Sequence, residues 1–112
     1  MKNNNPRDKQ ITKGRAESVI RKIVDDYISR NSGGQSLITI TSIVQADRSN
    51  NVTIRISVLP ENQENAVIDF LNRNVSEIRD DIKAKSRIGI LPFLHFEIDR
   101  GEKHRQEIFE II

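Results

Sequence analysis

Cysteine is absent from the chain. That removes both a disulfide framework and any thiolate metal site. It agrees with a reducing compartment, so a cytoplasmic location is expected. Long apolar runs are absent too. Nothing approaches the roughly 18 residues of a membrane span, and the opening MKNNNPRDKQITKGR has no apolar stretch of the kind a secretory signal needs. Aromatic residues are scarce, four Phe and one Tyr, so ring platforms are not expected to dominate any contact with nucleic acid. Glycine loops of the Walker or G-x-G-x-x-G type do not occur. What is there, in 112 residues, is enough for one small domain with a single core.

Charge is the first positive signal. The formal net charge is +2. Residues 1–24 nevertheless hold seven Lys/Arg against two acids, residues 25–70 three against six, residues 71–92 five against three, and residues 93–112 three against five. Two basic segments thus interrupt an otherwise acidic chain. That distribution points to a polyanionic partner more strongly than the net value does.

Periodicity then divides the chain. Ala16, Val19, Ile20, Ile23, Val24, Tyr27 and Ile28 recur at helical spacing and predict a helix over residues 13–30, stopped by Asn31-Ser32-Gly33-Gly34. Residues 1–12 are polar and are expected to form a flexible basic arm, leaving residues 13–112 as the folded domain. Residues 37–44 are rich in β-branched side chains, and Val52, Ile54, Ile56 and Val58 alternate with Thr53, Arg55 and Ser57. With ADRSNN between them these runs predict an antiparallel hairpin with one buried face. After Pro60, an apolar stripe of Ala66, Val67, Phe70, Leu71, Val75, Ile78 and Ile82 is too long for one helix in so small a domain. A break is expected between Asn74 and Ser76, whose side chains can bond their own backbone.

Pro92 blocks any continuation of the helix. Residues 93–98 predict a third strand with Leu94, Phe96 and Ile98 inward, and residues 102–112 a short helix anchored by Ile108, Phe109, Ile111 and Ile112. The order α-β-β-α-α-β, with a long crossover before the last strand, predicts an α+β fold. Its three-stranded mixed sheet would have a parallel last pair and would pack on helices.

Catalytic groups are hard to assemble from these residues. His95 and Glu97 share one face of the third strand and could in principle bind a metal or move a proton. No further ligand stands at a useful spacing, and a solvent-facing pair is the plainer reading. Asp80 and Asp81 diverge by about 100° on a helix and cannot share a proton. Asp81 is better placed as the i, i+4 partner of Lys85, and Glu77 as that of Arg73. Ser76 and Ser86 have no neighbouring His to activate them.

The helix flank is more informative. With Leu71, Val75, Ile78 and Ile82 turned inward, Asn72, Ser76, Arg79 and Lys83 line one side and Arg87 extends it, while Glu77 and Asp81 turn away. Cations interleaved with Asn and Ser donors suit phosphate and sugar contacts. A solvated helix edge is the competing reading. Lys9, Lys13 and Arg15 add an arm able to settle on an RNA backbone. Arg21 and Lys22, sharing their helix with acids, read as plain surface.

Four pieces in this order and spacing carry a resemblance: LITITSIV, VTIRISVL, FLNRNVSEIR at residues 70–79 and LPFLHFEID at residues 91–99. From about residue 15 to residue 112 the chain resembles the ribosome-binding factor A family of bacterial small-subunit maturation factors. The resemblance implies a type II KH-like fold and docking on the small (30S) ribosomal subunit with contacts to 16S rRNA. It also implies help in late maturation and rRNA processing, often linked to growth in the cold, and no enzymatic activity. KH domains that bind single strands use a GxxG loop, which this chain lacks. The family typically has an Ala-x-Gly kink there, and the matching residues are Asn74, Val75 and Ser76. Its basic positions match at Arg73, Arg79, Lys85 and Arg87.

The expected RNA contacts are Lys9, Lys13, Arg15, Arg73, Asn74, Ser76, Arg79, Lys83, Lys85 and Arg87. The expected protein is a cytoplasmic monomer with no metal, cofactor, membrane contact or small-molecule substrate. A KH-like module for another RNA is the alternative.

Overall fold

The computed structural model describes the backbone of residues 6–45 and 50–101, and within those ranges the side chains from Arg15 onward. The elements are α1 (Pro6–Asn31), β1 (Leu37–Gln45), β2 (Asn51–Leu59), a 3-10 turn (Glu61–Gln63), α2 (Glu64–Arg73), α3 (Val75–Lys85) and β3 (Phe93–Ile98). β2 is the central strand, antiparallel to β1 and parallel to β3. This is the expected α+β fold, with a mixed sheet.

The alternation of β2 decides which face is covered. Val52, Ile54, Ile56 and Val58 are buried, and they share one cluster with Val24 and Tyr27 of α1, Leu71 of α2, Ile78 and Ile82 of α3 and Leu94 and Phe96 of β3. Thr53, Arg55 and Ser57 stay half-exposed on the other face. Helices thus cover one face of the sheet, and among the described residues no element covers the other. Each large side chain fully buried in that cluster contributes roughly 1.5–3 kcal/mol.

β1 needs a device to join this core. Ile40 and Ile43 are both buried although they are three residues apart, a spacing that puts side chains on opposite faces of a regular strand. The register slips here: Ile40 stands opposite Ile56 and Ser42 opposite Arg55, so Thr41 is an extra residue in a β-bulge. The bulge resets the alternation and lets both isoleucines point inward.

The break between α2 and α3 falls at one residue. Asn74 adopts φ −105° and ψ 18°, off the helical path. Its backbone N–H donates to the Phe70 and Leu71 carbonyls at 3.2 and 3.1 Å. Its side-chain Nδ2 donates to Phe70 O at 2.7 Å. The amide therefore closes α2 while the Asn74 carbonyl opens α3 by accepting from Ile78 N at 3.0 Å.

One boundary differs from the expectation. α1 starts at Pro6, not near Lys13. Apolar periodicity marks where a helix is buried, not where it begins, and Pro at a first helical position is well tolerated. Residues 1–5, the predicted turn at 46–49 and the predicted helix of Ile108, Phe109, Ile111 and Ile112 lie outside the described residues.

Candidate nucleic-acid interface

α1 and α3 run antiparallel, and ion pairs fix their register. Arg30 bonds Asp26 at 2.9 Å and Asp81 at 3.1 Å. Lys85 lies 3.7 Å from Asp26 and 3.8 Å from Asp81. The expected Asp81–Lys85 pair therefore forms, inside a larger network. The two carboxylates raise the pKa of Arg30, first through its hydrogen bond to Asp81. Glu77 does not meet Arg73. It lies near the Tyr27 hydroxyl, and burial followed by that carboxylate pushes the phenol pKa upward. Arg73 donates instead to the Asp69 carbonyl at 3.3 Å.

Beyond this network a groove, formed by two hollows that share Val19, runs between the middle of α1 and the segment after α3. Arg15, Ala16, Val19, Ser86, Arg87, Ile88 and Gly89 line its far part. Val19, Lys22, Ile23, Asp26 and Lys85 line the part beside the ion pairs. Ser86 stops α3 by donating its hydroxyl to Ile82 O and accepting from Ile88 N, which turns the chain so that Arg87 faces solvent. Four cations, Arg15, Lys22, Lys85 and Arg87, thus border one apolar-floored groove.

Lys22 is plain surface by sequence alone, yet the fold sets it on the groove wall. The signal for it is its spacing: seven residues from Arg15, it stands on the same helical face two turns on.

The predicted flank of α3 divides. Asn72 is taken up by the sheet: its Nδ2 donates to Phe96 O at 3.2 Å and its Oδ1 accepts from Phe96 N at 3.1 Å. One amide thereby satisfies both backbone groups of Phe96 on the edge of β3 that no described strand pairs. Asn74 is occupied in the helix break. Arg79 folds onto the segment before β3, with Nε 2.8 Å from Pro92 O and Nη2 3.4 Å from Leu91 O. Its guanidinium carbon sits 4.6 Å from the Phe93 ring centre. Arg73, Ser76, Lys83 and Arg87 remain exposed. The side chains of Lys9 and Lys13 lie outside the described ones.

On the open sheet face Glu97 is held by Arg55 at 2.9 Å, and His95 Nε2 lies 3.7 Å from its other oxygen. The hydrogen bond to Glu97 raises the pKa of Arg55. Among the described residues no group of three or more His, Asp or Glu is placed to hold a metal ion, and no helix is long and apolar enough to cross a membrane.

The profile of the ribosome-binding factor A family matches residues 12–112. The chain belongs to the ribosome-binding factor A family. Solved structures agree on the fold. The crystal structure of ribosome-binding factor A from Thermus thermophilus superposes with a TM-score of 0.68 at 16% identity, covering 79% of this chain and 96% of that one. The solution structure of a candidate ribosome binding factor A from Thermotoga maritima gives 0.64 at 19% identity, covering 79% and 87%. A search of the curated proteins found no significant match. Membership in ribosome-binding factor A makes the chain a ribosome-associated factor. In this family member the kink between α2 and α3 is made by Asn74, where a side-chain amide does the closing.

Proposed function

We propose that this chain docks on the small (30S) subunit in the bacterial cytoplasm, contacts 16S rRNA and assists late subunit maturation and rRNA processing. It works as a monomer without catalysis, and its loss is felt most during growth in the cold. The observation that carries this reading is the set of cations left in solvent: among the described residues Arg15, Lys22, Lys83 and Arg87 have no ion pair. Charges left unpaired in water bring little benefit to folding, whereas each releases counterions when it meets a phosphate.

The mechanism follows from that chemistry. Arg15, Lys22, Lys83 and Arg87 capture the RNA backbone, with Lys85 contributing what its acids leave, and Lys9 and Lys13 extending the track along α1. Arg73 and Ser76 flank the break and contact backbone and ribose there. Arg79 and Asn74 shape the surface rather than bind phosphate. With about five phosphate contacts, affinity falls by about two orders of magnitude between 50 and 200 mM salt.

Co-sedimentation with purified small-subunit precursors tests the reading. Association at low salt, its loss at high salt and no association with large subunits are expected. Failure to pellet with small subunits overturns it. Crosslinking that enriched transfer or messenger RNA over 16S rRNA would favour a KH-like module for another RNA.

A further inference from the structure

Phe93 stands apart from the other exposed apolar side chains. It is 58% exposed, whereas Phe96, three residues on, is fully buried. Leu37, Val44, Leu59 and Ile90 are also exposed, but among the described residues the cation–ring contact is at Phe93. The Phe93 ring has the Arg79 guanidinium 4.6 Å from its centre.

The backbone under it is pinned from three sides. Phe93 N donates to Asn50 O at 2.9 Å. Asn50 Nδ2 donates to Leu91 O at 2.6 Å. Arg79 donates to the Pro92 and Leu91 carbonyls. A ring held this firmly while still facing water has already lost the freedom that binding would otherwise cost.

We infer that Phe93 is a stacking platform for an unpaired base of the bound RNA, with Arg79 fixed beneath it; this rests on the RNA-binding reading above. A base lying on the free face completes a guanidinium–phenyl–base stack. Every base has a π-face, so the contact is tolerant of sequence, and the guanidinium adds a positive charge that an aliphatic patch would lack. Lys83 lies one turn of α3 beyond Arg79, about 6 Å along the axis, and is exposed to take a neighbouring phosphate. The surface therefore joins base stacking to backbone capture, a combination that fits single-stranded RNA and not a peptide or a duplex.

The test compares binding of a short adenosine ribo-oligonucleotide with binding of an abasic oligomer of equal length to the full chain. The wild-type chain should bind the base-bearing oligomer about tenfold tighter. Phe93→Leu should erase that preference while its thermal unfolding shows that it still folds. The chain has no Trp, so Phe93→Trp places a lone indole reporter on the platform. Its emission should be quenched by the base-bearing oligomer and not by the abasic one.

Equal, salt-sensitive binding of both oligomers overturns the platform and leaves the phosphate contacts standing. So does an indole emission in the Phe93→Trp variant that is already shielded from a soluble quencher before RNA is added, because the ring would then be covered by the chain itself. If neither oligomer binds, the platform fails as well, and co-sedimentation with small subunits decides the docking reading independently.

Discussion

The two sides of α3 use the same residue types for opposite purposes. Towards α1, Asp81 and Lys85 meet Arg30 and Asp26, and four charges largely cancel in one network. Away from α1, Arg79 is consumed by the carbonyls before β3, while Lys83 stays in water one turn on. A count of lysines and arginines treats these residues as equal. The fold sorts them into cations that hold helices together, a cation that shapes a surface, and cations free for a polyanion.

The largest effect separating these classes is expected at Arg79. Arg79→Ala removes a charged donor from Pro92 O and Leu91 O and should cost about 2–3 kcal/mol, a fall in Tm of about 10 °C or more for a domain of this size. Lys83→Ala should stay within about 0.5 kcal/mol of wild type in the same chemical denaturation series. If the two variants were equally stable, Arg79 would belong with the free cations.

Asn72→Ala comes next, at about 1–2 kcal/mol, because it strips both partners from Phe96 on the open edge of β3. Hydrogen exchange should show faster opening of the Phe96 amide with α1 unaffected.

Tyr27 gives a smaller, pH-dependent effect. Its folded pKa is raised above the ordinary value of 10.0 by burial and by Glu77, so the folded state holds the phenol proton longer than the unfolded state does. The associated stability is fully present below pH 10.0 and is lost as pH rises through the folded pKa. Tyr27 is the only tyrosine, so its ultraviolet titration should have a midpoint above 10.0. Tyr27→Phe should remove that component of alkaline unfolding, and a midpoint at or below 10.0 would contradict the placement of Glu77.

The smallest effect is at Lys85. Its contacts of 3.7 and 3.8 Å are long and exposed, and Lys85→Ala should change stability by under about 0.5 kcal/mol.

These contrasts also show what the chain reveals before it folds. The alternation of β2 and the span of β3 are legible because period-2 burial leaves its mark on every residue. The helix break is legible to within two residues because Asn bonds its own backbone readily. The bulge at Thr41 is not, since Ile40 and Ile43 look like two halves of an irregular pattern until β2 fixes the register.

Within the interface, Lys83 and Arg87 keep the exposed role that helical projection assigns them. Asn72 and Arg79 do not, because their partners are backbone groups 12 to 24 residues away and backbone carbonyls carry no sequence signature. Lys22 is obscured for a related reason: its neighbours across the groove belong to another helix.

On the reading proposed above, the exposed cations along α3 and just after it, and not the total basic charge, bind RNA. The most direct test is the salt dependence of binding to a 16S rRNA fragment, measured for wild type and for Lys83→Ala/Arg87→Ala. Removing two phosphate contacts should lower the slope of log K against log salt by about 1.5, with folding unchanged. An unchanged slope in a folded double variant would mean that Lys83 and Arg87 make no phosphate contacts.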